Sequence, residues 1–471
     1  MSPVTERAAQ VRFRRAMSLM AMTLVAPGTA QLAAGNRRLG RIAFRLWLAA
    51  LTLGAITGIT VLVHRDFAFW LATDTTLLLW LKLTLLAGAI GWAYLFVDAW
   101  RIGQPLSYGL GHRRAAVGVN GILCFSVAGT LLFGAHLVGV QRDFMLTLFG
   151  DGEASAASDG RFNVLLMGGD SGAGRWGLRP DSMTVASIDA ETGRTVLISL
   201  PRNMANFPFK EGSVMDRQFP QGFDCEGCML NGVSTWAGDH TDLFKKSKQP
   251  GTDATIMAIE GITGLEINYW AMVNLQGFRS LVDAVGGVTL NVRQAIPVGG
   301  LGSDVTGYIE AGTRKLTGFE TLWYARAREG SDDYSRMARQ KCVMNAMLEQ
   351  ISPQSALRNF EKIARASAEM ISTDIPGSEV DRFISLALKA KGQKIASLSL
   401  VPPLVNTGDP DIDLIQREVA LAIDRAEGDA PATTGKKKKR KQDNSAVTGG
   451  SLGSLSTGYA ANQADDLAAS C

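Results

Sequence analysis

Carboxylates and arginines gather at the ends of apolar runs in the middle of this chain. Asp170 closes one run, Arg179-Pro180-Asp181-Ser182 opens the next and Arg202 follows a third in Leu200-Pro201-Arg202-Asn203. Tyr324-Ala325-Arg326-Ala327-Arg328 then precedes Asp333, Arg336, Arg339 and Gln340. Two acidic side chains with several guanidinium groups suit phosphoryl transfer. Asp170 and Asp181 would hold Mg2+ or Mn2+ sharing phosphate oxygens, and the arginines would offer forked donors to the spread negative charge. Surface ion pairing accounts for most Arg and Asp residues in any protein. Arg326 and Arg328 argue for more: at i, i+2 in a segment read as extended they share a face, where like charges repel unless an anion lies between them.

Two competing chemistries fail on their residues. The Gly168 to Gly177 stretch, GGDSGAGRWG, lacks both the Gly-Lys-Ser/Thr ending and the Gly-x-Gly-x-x-Gly spacing of nucleotide loops. Gly169-Asp170-Ser171-Gly172 has the look of a serine-protease nucleophile turn. The three histidines upstream of Ser171, namely His64, His112 and His136, all fall in the apolar N-terminal part, and His240 reads as a surface residue.

The elements that must position these residues follow from periodicity. Asn163 to Met167 reads as a buried strand running into Gly168-Gly169-Asp170, and Met183 to Ile188 with Thr195 to Leu200 read as a hairpin around Glu191-Thr192-Gly193. Thr252 to Ile262 is predicted helical and Ile267 to Asn274 a strand. Phe278, Leu281, Val282 and Val285 mark a helix stopped by Gly286-Gly287, with a strand at Val288 to Val292. A further helix is expected over about Arg336 to Ile351. Strands alternating with helices imply an α/β layered domain.

The 471 residues, 46% of them hydrophobic, exclude a wholly disordered chain. The net charge of +4 is unevenly spread: residues 1 to 141 hold 13 Lys or Arg against 4 Asp or Glu, so the rest is net acidic despite the run Lys436 to Lys441. A nucleic-acid binder would need the opposite distribution, and that class is excluded.

Residues 1–141 read as a transmembrane region. Apolar stretches fall at 16–36, broken by Pro27-Gly28, and at about 46–63, 75–97 and 115–140, the last three long enough to cross ~30 Å of hydrocarbon. Arginines precede and follow the first stretch and lie between the third and fourth, with only Arg65 between the second and third. If the first stretch is re-entrant and the others cross, every basic cluster is cytoplasmic and the remainder is extracytoplasmic; four full crossings would misplace one cluster. The expected layout is a multi-pass cell-membrane protein with a linker at 142–160, an α/β domain at 161–427 and a flexible basic, Gly/Ser-rich tail at 428–471. Cys225, Cys228, Cys342 and Cys471 lie in the exported part and are disulfide candidates with three possible connectivities. One Cys-x-x-Cys without a nearby His makes zinc the weaker reading.

From about Asn163 to Gln350 the order of NVLLMGGDS, RPDSMTVASID, VLISLPRN, LNGVSTWAG, GLEINYWAMVNLQGFRSLVDAVGGVTLNV, LTGFETLWYARAR and SRMARQ resembles the LytR-CpsA-Psr family of cell-wall phosphotransferases, of the actinobacterial polytopic type. The resemblance implies an α/β/α fold around a central mixed sheet and a hydrophobic tunnel for a polyprenyl chain. It also implies transfer of a glycopolymer, arabinogalactan or similar, from a polyprenyl-pyrophosphate-linked glycan donor to a peptidoglycan acceptor beside membrane lipid. Asp170 and Asp181 would serve the metal and phosphate region. Arg202, Arg326, Arg328, Arg336 and Gln340 would bind the pyrophosphate or head group, with Arg175, Arg179, Asp333 and Arg339 as further substrate contacts. Two positions depart from the family pattern: Asn203 stands where Asp is common, and Met229 where a Lys often precedes the Asn motif. Hydrolysis with water as acceptor, and lipid-phosphate binding without turnover, use the same residues.

Overall fold

The computed structural model describes residues 3–104, 109–149, 154–170, 179–245, 247–300, 304–328, 333–350, 371–391, 393–428 and 462. Arg175, Cys471 and Lys436 to Lys441 lie outside the described residues, as does the side chain of Asp170. The chain divides into two units, Met1–Leu146 and Thr147–Cys471.

The first unit is helical: α1 (Pro3–Val25), α2 (Thr29–Ala33), α3 (Arg37–Val63), α4 (Arg65–Thr73), α5 (Thr75–Ile102) and α6 (Leu110–Leu148). The Pro27-Gly28 break separates α1 from α2, where Gly28 takes φ +95° and its neighbourhood is so tight that a Cβ there would lie 2.5 Å from the Gly40 carbonyl oxygen. Only glycine fits that crossing. Among the described residues three helices, α3, α5 and α6, are long and apolar enough to cross a membrane. All three exceed the sequence reading, α5 by running on to Ile102. α3 starts at Arg37, where the Asn36 side chain caps it by accepting from the Leu39 N–H. α6 continues past residue 141 into the stretch read as linker.

The second unit is built on a sheet of β1 (Arg161–Asp170), β2 (Arg179–Asp189), β3 (Thr195–Leu200), β4 (Tyr269–Asn274), β9 (Ile371–Thr373) and β10 (Ala396–Ser399), in the order β10-β3-β2-β1-β4-β9. β1–β2–β3 are antiparallel neighbours, while β4 on β1 and β10 on β3 are parallel, so the sheet is mixed. Both faces are buried. Leu165, Met167, Met183, Val185, Ile198 and Met272 pack into one core with α7 (Val214–Gln218), α8 (Val233–Asp239), α9 (Pro250–Thr263) and α14 (Ile412–Glu427). Phe162, Val164 and Tyr269 meet α13 (Val380–Ala390) on the other face, where Ala186 and Leu197 meet Met344 of α12 (Asp333–Gln350). Alternate residues of each strand point to opposite layers, and an α/β/α sandwich results.

Between β4 and β9 the chain inserts α10 (Leu275–Ala284), the strand pairs β5 (Val288–Val292) with β8 (Gly312–Leu316) and β6 (Ile296–Val298) with β7 (Gly307–Ile309), then α11 (Gly318–Arg326) and α12. A separate small core, Val282, Val288, Leu290, Tyr324, Cys342 and Val343 among others, holds this insertion together. Cys225 and Cys228 form a disulfide with each other. Cys342 is also disulfide-bonded, to a residue outside those described.

Candidate functional site

A cavity of about 960 Å3 opens between the β1–β2–β4 end of the sheet and the inserted α10, α11 and α12. Its walls are two chemistries. Val273, Leu275, Phe278, Leu322, Val343, Met344 and Met347 supply apolar surface, and Arg179, Arg202, Arg326, Arg328 and Arg336 supply five guanidinium groups.

Asp181 reaches this cavity because the β1–β2 ladder is irregular. Gly168 pairs with Ser182 and Gly169 with Pro180, so Asp181 has no partner on β1 and is the extra residue of a bulge. Bulges re-aim a side chain that strict alternation would bury or expose. Asp170 ends β1 in register with Arg179. Arg202 follows β3, and its loop is held by the Asn231 N–H donating to the Arg202 carbonyl at 3.0 Å.

One carboxylate organises the arginines. Asp333, the first residue of α12, accepts from Arg336 Nε at 3.1 Å and Nη2 at 2.9 Å and from Arg202 Nε at 3.3 Å, with Arg328 Nη1 at 3.9 Å. Arg202 Nη1 also donates to Asp181 Oδ1 at 2.6 Å, and Arg336 Nη1 to the Asp181 carbonyl at 2.9 Å. Burial works to raise the Asp333 pKa, but the Arg336, Arg202 and Arg328 guanidiniums together hold it below the usual carboxylate range. Burial, with Arg202 close by, pulls Arg328 below an ordinary arginine. Five cations against Asp181 and Asp333 leave the described part of this pole positive, which suits an anionic ligand with several oxygens.

No group of three or more His, Cys, Asp or Glu side chains converges among the described residues. Mg2+ needs only one or two carboxylates, the remainder of its shell being water and substrate phosphate. Asp181 Oδ2 has no hydrogen-bond partner among the described residues, so this hard-oxygen donor beside the end of β1 fits such an ion.

Several sequence expectations change. Arg326 does not lie in an extended segment with Arg328: α11 runs to Arg326, and the chain turns extended only at Ala327, φ −57° and ψ 135°. Thr317 and Glu320 form a capping box that starts this helix, a Thr-x-x-Glu signal visible in the sequence. Both arginines still line the cavity. Arg339 does not line the cavity. It is fully buried, donating Nε to the Tyr324 carbonyl at 2.8 Å and Nη2 to the Ala327 carbonyl, which fixes the α11 end that presents Arg326 and Arg328. Asp333 does not line the cavity and pairs with the arginines that do. Gln340 lines the cavity, with Nε2 bonded to the Ala325 carbonyl and Oε1 accepting from Ser182. His240 is half-buried and stacks on Trp236 at 4.0 Å. Asn203 has its Oδ1 buried without a hydrogen-bond partner, and Met229 is 42% exposed.

Lys341 was not singled out from the sequence. It neighbours Gln340 on α12, its Nζ is buried without a hydrogen-bond partner, and it lines a cavity of about 20 Å3 with Ser182, Thr184 and Ser199. Burial pushes its ammonium down to about 7. Below that pH folded and unfolded chains both carry the proton and the penalty is complete. Between about 7 and the ordinary lysine value of 10.5 only the unfolded chain keeps it, so stability recovers as pH rises. Lys341→Met is expected to raise Tm by about 5 °C at pH 6, from roughly 2 kcal/mol. The gain should shrink toward pH 10 in thermal denaturation of the full chain, and an equal gain at both pH values would refute the assignment.

The cavity of this α/β/α domain thus combines apolar side chains with five arginines. The LytR_cpsA_psr family model matches residues 144–403, and the chain belongs to that family. It is 26% identical over 265 residues to Biofilm regulatory protein A of Streptococcus mutans serotype c, covering 55% of this chain and 60% of that protein. It is 27% identical over 235 residues to the polyisoprenyl-teichoic acid–peptidoglycan teichoic acid transferase TagU of Oceanobacillus iheyensis (49% and 63%). Against the cell wall biosynthesis protein LcpA of Corynebacterium glutamicum it is 25% identical over 280 residues (54% and 52%). The chain thus spans between about half and two thirds of the length of these relatives. Among solved structures, that of B. subtilis TagV is matched with a TM-score of 0.41 and 23% identity, over 58% of this chain and 100% of that one.

Proposed function

We propose that this protein is a membrane-anchored phosphotransferase that moves a glycopolymer, arabinogalactan-like or another wall polymer, from a polyprenyl-pyrophosphate carrier to peptidoglycan, assisted by Mg2+ or Mn2+. The observation that carries the reading is the cavity itself, lined by apolar side chains and by five arginines, with Asp181 at a bulge. The apolar surface takes the polyprenyl chain. Arg202, Arg328 and Arg336 hold pyrophosphate oxygens in a geometry fixed by Asp333. A divalent ion held by Asp181 and Asp170 would neutralise charge as it shifts toward the leaving phosphate. An acceptor hydroxyl then forms a bond to the phosphorus bearing the glycan, the bridging P–O bond breaks, polyprenyl monophosphate departs and the hydroxyl proton is released to solvent. The names of the TagU and LcpA relatives, a teichoic acid transferase and a cell wall biosynthesis protein, support the substrate class. Apolar helices α3, α5 and α6 support a multi-pass anchor, and arginines at the start of α3, the end of α5 and the start of α6 support an extracytoplasmic second unit.

The test is incubation of the full chain in detergent with a polyprenyl-pyrophosphate glycan, Mg2+ and a peptidoglycan fragment. Expected are polyprenyl phosphate and glycan-linked acceptor in equal amounts. Lipid phosphate without linked glycan would make the protein a hydrolase, and neither product would reduce it to a binding protein.

A further inference from the structure

α11 carries two aromatic rings to which no part in phosphate binding has been assigned. Phe319 and Trp323 stand one helical turn apart with centroids 6.4 Å from each other, edge to face at 66°. Each ring is stacked by a guanidinium: the Arg279 Cζ lies 5.3 Å from the Phe319 centroid and the Arg326 Cζ 5.1 Å from that of Trp323. The result is a ladder, Arg279–Phe319–Trp323–Arg326, in which Phe319, Trp323 and Arg326 follow i, i+4, i+7 on α11 and Arg279 comes from α10. Its inner end is in the cavity, where Trp323 and Arg326 form part of the wall. Its outer end is in solvent, with Phe319 40% exposed.

A hydrocarbon chain gains nothing from such a track, since laying it over guanidiniums strips them of water without replacing their hydrogen bonds. A sugar ring matches it. One face of a pyranose is C–H and lies against an aromatic ring, while its hydroxyls accept from the edge N–H groups of the flanking arginines. Arg326 also links the two regions, because a group leaving the arginine cluster toward solvent passes Trp323 first and Phe319 next.

We propose that this ladder is a saccharide subsite, holding the sugar rings next to the pyrophosphate of a polyprenyl-linked glycan and so choosing among donors by their first sugars. The assignment rests on the phosphotransferase reading above and deepens it. Trp323 takes the ring nearest the phosphate, Phe319 the next, and Arg279 marks where the glycan enters solvent.

The test compares binding of two probes to the full chain in detergent: a polyprenyl phosphate without sugar and the same lipid as its pyrophosphate-linked disaccharide. Trp323→Ala, in the cavity wall, should weaken the disaccharide-bearing lipid about tenfold more than the sugar-free lipid, the size of one good aromatic contact. Trp323→Phe should restore most of the loss. Phe319→Ala, at an exposed position, should give a smaller loss with the same selectivity and guards against misfolding of the Trp323 variant. Equal weakening of both probes, or of neither, would overturn the subsite. Arg202→Ala tests the underlying reading separately: it should weaken both probes, and if it weakens neither, the phosphate site itself is misassigned.

Discussion

Asp333→Ala should lower glycan transfer by about two to three orders of magnitude while leaving the sheet core intact. Among the described residues the carboxylate is the one group that contacts Arg202, Arg328 and Arg336 together. Its removal leaves three guanidiniums side by side without the charge that gathers them. Breaking a buried pair by deleting one partner typically costs about 3–5 kcal/mol, and every ~1.4 kcal/mol lost from the transition state is tenfold in rate. Asp333→Asn keeps the shape and one acceptor but loses the charge, so it should fall between wild type and alanine. Because the arginines hold Asp333 below the ordinary carboxylate value, its contribution to stability is present above about pH 4 and is lost as pH falls through the lowered folded value. Transfer should therefore show no titration of this group near neutrality. Single-turnover release of polyprenyl phosphate is the measurement. Wild-type rates in Asp333→Ala would show that the arginines are organised by something else.

That anchoring role was only half legible in the sequence. Asp333 stands one helical turn before Arg336, but the sequence reading begins the helix only at Arg336, whereas α12 starts at Asp333; the partnership of Asp333 with Arg202, 131 positions away, depends on where β3 ends relative to α12, and no local pattern encodes it. The strands were more visible, since both faces of the sheet are covered and their apolar runs are bounded by Gly, Pro and Asp. The bulge at Asp181 was not, because a single unpaired residue leaves no trace in hydrophobic periodicity. Arg326 was misread as extended although Thr317-Gly318-Phe319-Glu320 held the capping signal. Arg339 could have been separated from its neighbours by a helical wheel: Arg336, Gln340, Val343 and Met347 follow i, i+4, i+7, i+11 along the cavity, whereas Arg339 falls with Ser335, Cys342 and Ala346 on the buried side.

Asp181 should prove as sensitive as Asp333, and for a reason that can be told apart. Its Oδ1 accepts from Arg202 Nη1 at 2.6 Å, and its Oδ2 is the oxygen assigned above to the divalent ion. Asp181→Ala removes both functions, so about a thousandfold loss of turnover is expected, in the range of deleting one preorganised transition-state contact. Asp181→Asn keeps an acceptor for Arg202 but gives up the charge that a hard cation requires. It should bind the polyprenyl-pyrophosphate donor nearly as well as wild type in the absence of metal, yet need at least about tenfold more Mg2+ for half-maximal transfer. Asp170→Ala should share the metal phenotype, and neither substitution should lower Tm greatly, because strand-end carboxylates bury little apolar area. The two carboxylates thus divide by readout: Asp333 variants lose donor affinity at any Mg2+ concentration, and Asp181→Asn loses rate that added Mg2+ partly restores. Turnover in Asp181→Asn that is both unimpaired and independent of Mg2+ would leave the bulge without a catalytic purpose and remove the metal from the mechanism.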